Sequence, residues 1–169
     1  MQALIAAADD DDVLFFMDGS HDVARNRTGA GISVWRAGAP ILRQSYALGD
    51  STSNEAELFA IGASVEIIHR WVRAGRYPSS NRSILFTDSE YSCKLVMRRN
   101  IPHTNIHLVH HILRKIVALL SSAENAEIHW LPGHLHIEGN EDADALAKLG
   151  ATAAVMGNND NSRVIDRVY

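Results

Sequence analysis

Apolar and polar positions along this chain fall into two repeating patterns, and the changes between them mark out the elements. VLFFMD (13–18) is an unbroken apolar run closing on an acid, the pattern of a buried strand. AGISVWR (30–36) and ILRQSYAL (41–48) read as two further strands joined around residues 37–40, with residues 19–29 a turn-rich connection. Three consecutive strands with short links predict an antiparallel meander. Polar residues 49–54 then announce a helix, along which Leu58, Ile61, Val65, Ile68 and Val72 recur at helical spacing as a core stripe. Residues 73–78 end it. SILFT (83–87) is a short buried strand that stops at Asp88; residues 89–99 suggest a short helix and 100–103 a loop. Ile106, Val109, Leu113, Ile116 and Leu120 mark a further amphipathic helix, EIHWL (127–131) a fifth strand, and EDADALAKLG (141–150) the last helix. The order is βββαβααβα. Helical crossovers make the later strands parallel, so the expected class is α/β: a five-stranded mixed sheet flanked by helices.

Length and composition narrow the picture. At 169 residues the chain suits one domain, expected over 13–154, with a mobile acidic leader at 1–12 and a polar tail at 155–169 that reads as a linker or partner-binding segment. No run is long enough to span a bilayer, and MQALIAAA followed by Asp9–Asp12 lacks the basic start of a signal peptide. With Cys93 alone there is no intrachain disulfide, which fits an intracellular setting without choosing between cytoplasm and nucleus. The formal charge of −4 resides in the leader: without Asp9, Asp10, Asp11 and Asp12 the acids fall from twenty to sixteen and equal the Lys and Arg. Arg25/Arg27, Arg70/Arg73/Arg76/Arg82 and Arg98/Arg99 form loose basic clusters, which serve equally as solvated surface or as phosphate contacts.

Four acids stand where backbone geometry exposes chemistry. Asp18 and Asp88 end buried strands; Glu57 and Asp144 lie near helix starts. In α/β sheets one edge collects such ends. A tight carboxylate cluster is unfavourable without cations, and hard oxygen ligands select Mg²⁺ or Mn²⁺. For Glu57 and Asp144 a plain helix-dipole role competes with this reading; for acids set hard against buried strands it explains less. The histidines His103, His107, His110, His111, His134 and His136 lack the cysteine and acid partners of a zinc site.

Six segments then carry a family resemblance: DGS (18–20), GAGISV (29–34), TSNEAEL (52–58), FTDSEYS (86–92), WLPGH (130–134) and GNEDADALAK (139–148). In this order they resemble the type 1 ribonuclease H family, across nearly all of residues 13 to 152. The resemblance implies a ribonuclease H-like fold and a metal-dependent endonuclease that cuts the RNA strand of RNA/DNA hybrids, leaving 5′-phosphate ends. It implies that Asp18, Glu57, Asp88 and Asp144 hold two Mg²⁺ ions, with Mn²⁺ able to substitute. His134 is implied as a mobile proton carrier. Thr52 matches a DNA-phosphate contact, Asn54 a minor-groove contact, and Ser20 and Ser89 further substrate contacts. Glu141 and Asp142 are expected to be first-turn acids of the last helix. The wording of GAGISVW and of residues 130–151 is most like the RNase H domain of a retroelement polyprotein, notably a non-LTR retrotransposon. The expected domain is monomeric, with a linked reverse transcriptase as partner; a free-standing cellular enzyme is the alternative. Two features depart from the family pattern. The space of the basic protrusion of bacterial forms holds only residues 98–105, and Glu90 stands where glutamine is frequent. A non-catalytic binding module and a related DNA nuclease remain as other readings, which the full set of acids and the PGH and NExAD segments disfavour.

Overall fold

The computed structural model describes residues 5, 7–76, 82–99, 101–120, 126–133, 136–153 and 163–167. The expected order of elements is present: β1 (Val13–Asp22), β2 (Arg27–Arg36), β3 (Ala39–Gly49), α1 (Ser53–Arg73), β4 (Ser83–Thr87), α2 (Glu90–Val96), α3 (Ile106–Leu120), β5 (Ala126–Trp130) and α4 (Glu138–Thr152). A sixth strand, β6 (Arg163–Arg167), follows within the region read as a polar tail and pairs antiparallel with β3. The sheet order is β5-β4-β1-β2-β3-β6, with β1–β2–β3 the antiparallel meander and β1–β4–β5 parallel. No helix among the described residues is long and apolar enough to cross a membrane.

Helices cover both faces of the sheet, so β1 reads as a continuous apolar run rather than an alternating one. Phe15 and Met17 join Ile32, Val34, Leu58, Ile61, Val65 and Ile68 in the larger cluster, while Phe16 meets Trp35, Ile84, Phe86, Leu131 and Ala143 in the smaller. Each fully buried side chain of this size contributes about 1.5–3 kcal/mol over leaving it exposed. The stripe of α1 is core as expected. The stripe of α3 packs on the core as expected at Val109, Leu113 and Ile116, but Ile112 is buried beside them and Ile106 is 44% exposed. The cause lies on α1, where Gly62 leaves room for Ile112; a Cβ at Gly62 would sit 3.1 Å from Ile112 Cγ1.

Two further expectations change. Residues 19–29 are mostly strand, because Gly19 to Asp22 pair with Ala30 to Arg27 and only the tip between them turns. Two of the leader's four acids are paired with the domain: Asp12 accepts from Arg82 Nη2 at 2.5 Å, and Asp11 accepts from Arg36 Nη2 at 2.8 Å. The Arg82 contact holds the Asp12 carboxyl below its ordinary range.

Candidate active site

The parallel register of β1 and β4 builds half of the site. Their ladder ends at the pair Met17↔Thr87, so Asp18 and Asp88 leave it side by side. Glu57 arrives from α1, and Gly19 lets it come close. A Cβ at Gly19 would lie 2.7 Å from Glu57 N and 2.9 Å from Ala56 Cβ, too near for any other residue without moving the helix. The N-terminus of α1 is set by Thr52, whose hydroxyl accepts from Glu55 N at 3.2 Å while the Glu55 side chain accepts from Thr52 N at 2.8 Å. That capping box makes Glu55 the first-turn acid and leaves Glu57, two residues on, buried in the second turn. The helix-dipole explanation therefore fits Glu55 and not Glu57. Asp18, Glu57 and Asp88 each place one carboxylate oxygen within 4.8 Å of the other two, the only such group of potential metal ligands among the described residues.

Burial makes this gathering costly. Desolvation first, then the charge of Asp88, pushes the Asp18 carboxyl up to about 7, against a lowering by its contacts with Glu57 and the Gly19 amide. Desolvation followed by the charges of Asp18 and Asp88 raises Glu57 well above the carboxylate range. The Gly19 N–H donates to Asp18 Oδ1 at 2.8 Å, which satisfies one oxygen without neutralising the charge. The one basic group that reaches Asp18, Lys148, is held chiefly by Asp144 and touches Asp18 only as its smallest interaction. An all-oxygen donor set strained by mutual repulsion fits Mg²⁺ or Mn²⁺.

Asp144 is placed differently. It lies in the second turn of α4, since that helix starts at Glu138 rather than at the expected residue 141. Its Oδ2 accepts from Lys148 Nζ at 2.6 Å, and its side chain is 41% exposed. It is outside the group of three yet near enough for its charge to raise Asp18 slightly. The packing of α4 on β2 fixes this distance: a Cβ at Gly31 would fall 2.1 Å from Ala143 O, and one at Gly29 would fall 2.2 Å from Ala151 N. Backbone meets backbone there, which is why GAGISV needs its glycines. Glu141 is a first-turn acid as expected. Asp142 is not; its Oδ2 accepts from Ser33 Oγ and from Arg43 Nε, each at 2.6 Å, tying α4 to β2 and β3.

The remaining expected residues divide as follows. Ser20 is half-buried on β1, opposite Gly29. Asn54 is exposed in the first turn of α1. Thr52 is exposed but engaged in its cap, and Ser89 caps α2 by accepting from Ser92 N at 3.2 Å. Glu90 pairs with Lys94 at 2.6 Å. His134 lies outside the described residues. Three participants escape sequence reasoning. Buried Thr87 reaches Glu57 Oε2 at a long 3.5 Å and accepts from Ser89 N at 3.2 Å. Trp130 Nε1 donates to Asp88 O at 3.0 Å. Lys148 pairs with Asp144. Of these only Thr87 left a signal, as a hydroxyl ending an otherwise apolar strand.

Comparison with known proteins gives this geometry a context. The family model for RNase H matches residues 10–152. Human Ribonuclease H1 is 28% identical over 151 residues, 83% of this chain and 50% of that protein, so the chain spans about half the length of this curated relative. Among solved structures, LC11-RNase H1, isolated from compost by a metagenomic approach, aligns in its complex with an RNA/DNA hybrid. Its TM-score is 0.67 at 18% identity, covering 83% of this chain and 96% of that one. A foamy viral protease-reverse transcriptase in complex with RNA/DNA hybrid aligns at TM-score 0.64 and 23% identity, over 84% of this chain and 20% of that one. These likenesses establish a ribonuclease H-like fold. With the family match running through every element from β1 to α4, the chain belongs to the RNase H family.

Proposed function

We propose that this protein is a metal-dependent endonuclease that hydrolyses the RNA strand of RNA/DNA hybrids, with two Mg²⁺ ions held by Asp18, Glu57, Asp88 and Asp144. The observation that carries the reading is the close group of Asp18, Glu57 and Asp88, in which burial and mutual repulsion push the carboxyls of Asp18 and Glu57 upward. A binding module has no use for so unfavourable an arrangement. When bound, the ions lower the pKa of the attacking water and stabilise the departing 3′-oxygen. Asp18, which interacts with each of the other three acids, would be the central holder of the ions. Glu57 and Asp88 flank it. Lys148 must share or release Asp144 for that carboxylate to take part. His134, ten residues before Asp144, is assigned proton movement at the leaving oxygen or at product release. Water forms the new bond to phosphorus, the bond to the 3′-oxygen breaks, and the products are a 5′-phosphate and a 3′-hydroxyl.

Substrate choice is assigned to shape. Ser20 and Asn54 are the side chains proposed to read the RNA strand through its 2′-hydroxyls, with Thr52 and Ser89 on the substrate phosphates. Because Thr52 is already bound to Glu55, its share of any phosphate contact falls to an exposed hydroxyl edge beside an acid. Few contacts of this kind imply weak grip by the isolated domain and little base preference. The retroelement wording of the motifs supports a domain linked to a reverse transcriptase, removing template RNA after first-strand synthesis in an intracellular setting.

The test is cleavage of a 5′-labelled RNA strand paired to DNA or to RNA, with Mg²⁺ or EDTA. Cutting of the hybrid alone, dependent on Mg²⁺ and leaving 5′-phosphates on the downstream fragment, is the expected result. Binding of the hybrid without cutting, in Mg²⁺ and in Mn²⁺, would replace this reading with the binding-module one.

A further inference from the structure

The last rung of the parallel β4–β5 ladder is the pair Thr87↔Trp130, and just beyond it Leu131 N donates to Thr87 O at 3.0 Å. Asp88 lies past that rung, where its carbonyl needs a partner from outside the regular ladder. The indole of Trp130 supplies it, Nε1 donating to Asp88 O at 3.0 Å. Trp130 is 39% exposed, unlike Trp35 at 8%, so burial of its ring is a poor reason for its presence. Three residues on, the segment leaving β5 meets the other end of the aspartate: a Cβ at Gly133 would lie 3.3 Å from Asp88 Oδ2. The β5 exit therefore grips Asp88 at its carbonyl and bounds its carboxylate.

We propose that Trp130 is a positioning residue for Asp88, its indole N–H fixing the peptide from which this carboxylate reaches the divalent-cation site. The proposal rests on the metal reading above. Aspartate has a short side chain with two torsions, so its carboxylate follows the backbone. Ligand oxygens must sit within about 0.2 Å of their working distances. Partners that orient ligands are worth about ten- to hundredfold in metal affinity, and a single bond to the backbone acts at the lower end. Phenylalanine at 130 keeps a ring and removes only the donor.

The experiment is calorimetric titration of Mn²⁺ into metal-free wild type, Trp130→Phe and Gly133→Ala. Beside it run hybrid cleavage across Mn²⁺ concentrations and thermal unfolding in EDTA. Trp130→Phe should weaken Mn²⁺ binding about three- to tenfold. The Mn²⁺ concentration for half-maximal cleavage should rise by the same factor, with hybrid KM and metal-saturated kcat unchanged and the EDTA unfolding midpoint within a few degrees of wild type. Gly133→Ala, whose added methyl displaces the carboxylate, should weaken Mn²⁺ in the same direction and carries the question if Trp130→Phe does not fold. Wild-type Mn²⁺ affinity in Trp130→Phe, or in Gly133→Ala should that variant stand alone, would overturn the proposal, as would a weakening matched by loss of the EDTA midpoint. A wild type that takes up no Mn²⁺ would remove the metal reading itself, and this proposal with it.

Discussion

Asp18 and Asp144 are carboxylates assigned to one centre, but the fold treats them in opposite ways. Asp18 is 7% exposed at the end of a central strand, pressed toward Glu57 and Asp88 by a parallel ladder on one side and a glycine-permitted helix on the other. Asp144 is half-buried on α4, its side chain 41% exposed and paired with Lys148 of its own helix. One side of the site stores repulsion that a proton or a bound cation relieves; the other is already paired and must exchange a lysine for an ion. The strong, preformed part of the cation site is therefore the sheet side, and the helix side is the adjustable part.

The largest effect should come from the sheet side. Asp18→Asn or Asp88→Asn should lower hybrid cleavage by at least about a thousandfold, because the ions' transition-state stabilisation is lost. In EDTA the same variants should unfold no earlier than wild type, since each removes a repelling charge. An activity assay beside a melt separates the two effects, and a large drop in the EDTA midpoint would contradict the stored repulsion. Next comes the helix side. Asp144→Asn should reduce cleavage about ten- to hundredfold at low Mn²⁺ and recover as Mn²⁺ rises; an equal loss at every concentration would place Asp144 with the sheet acids. Gly31→Ala tests what holds α4 at its distance. A methyl forced against Ala143 O should destabilise the fold by about 2–4 kcal/mol, read from urea unfolding. The smallest change is Lys148→Gln, which frees Asp144 and should lower the Mn²⁺ needed for half-maximal cleavage by less than about tenfold, the scale of one exposed pair.

These contrasts also separate what can be read from the chain. Asp18 and Asp88 are legible because an acid closing an apolar run is a local pattern, and parallel pairing makes the two neighbours. The choice of Glu57 over Glu55 came from the family motif; the capping box that occupies Glu55 is its physical counterpart. What stays hidden depends on contacts between distant residues. Trp130 meets Asp88 across 42 positions, and Asp142 meets Arg43 across 99. Nothing local in either segment announces the partner. The burial of Ile112 on α3 follows from a space at Gly62, which a hydrophobic repeat cannot register. The strands through residues 19–29 were masked by polar turn-forming residues that sit in a hairpin ladder, where pairing overrides propensity. The strand at Arg163–Arg167 is too short and polar to stand out.

The most direct measurement is the unfolding stability of the wild type between pH 5 and 8, in EDTA and in Mg²⁺, with Asp18→Asn alongside. Asp18 has a folded pKa of about 7 against an ordinary 3.8, and Glu57 is raised in the same direction. The folded state thus holds protons that the unfolded state has released, and stability falls as pH rises from about 4 to about 7. In EDTA the midpoint should decline across this range, by an amount on the order of a few kcal/mol in stability. Mg²⁺ should restore the midpoint at pH 7 to 8, and Asp18→Asn should flatten the decline. A midpoint in EDTA that stays level to pH 8 and does not respond to Mg²⁺ would contradict a carboxylate cluster built to be completed by cations.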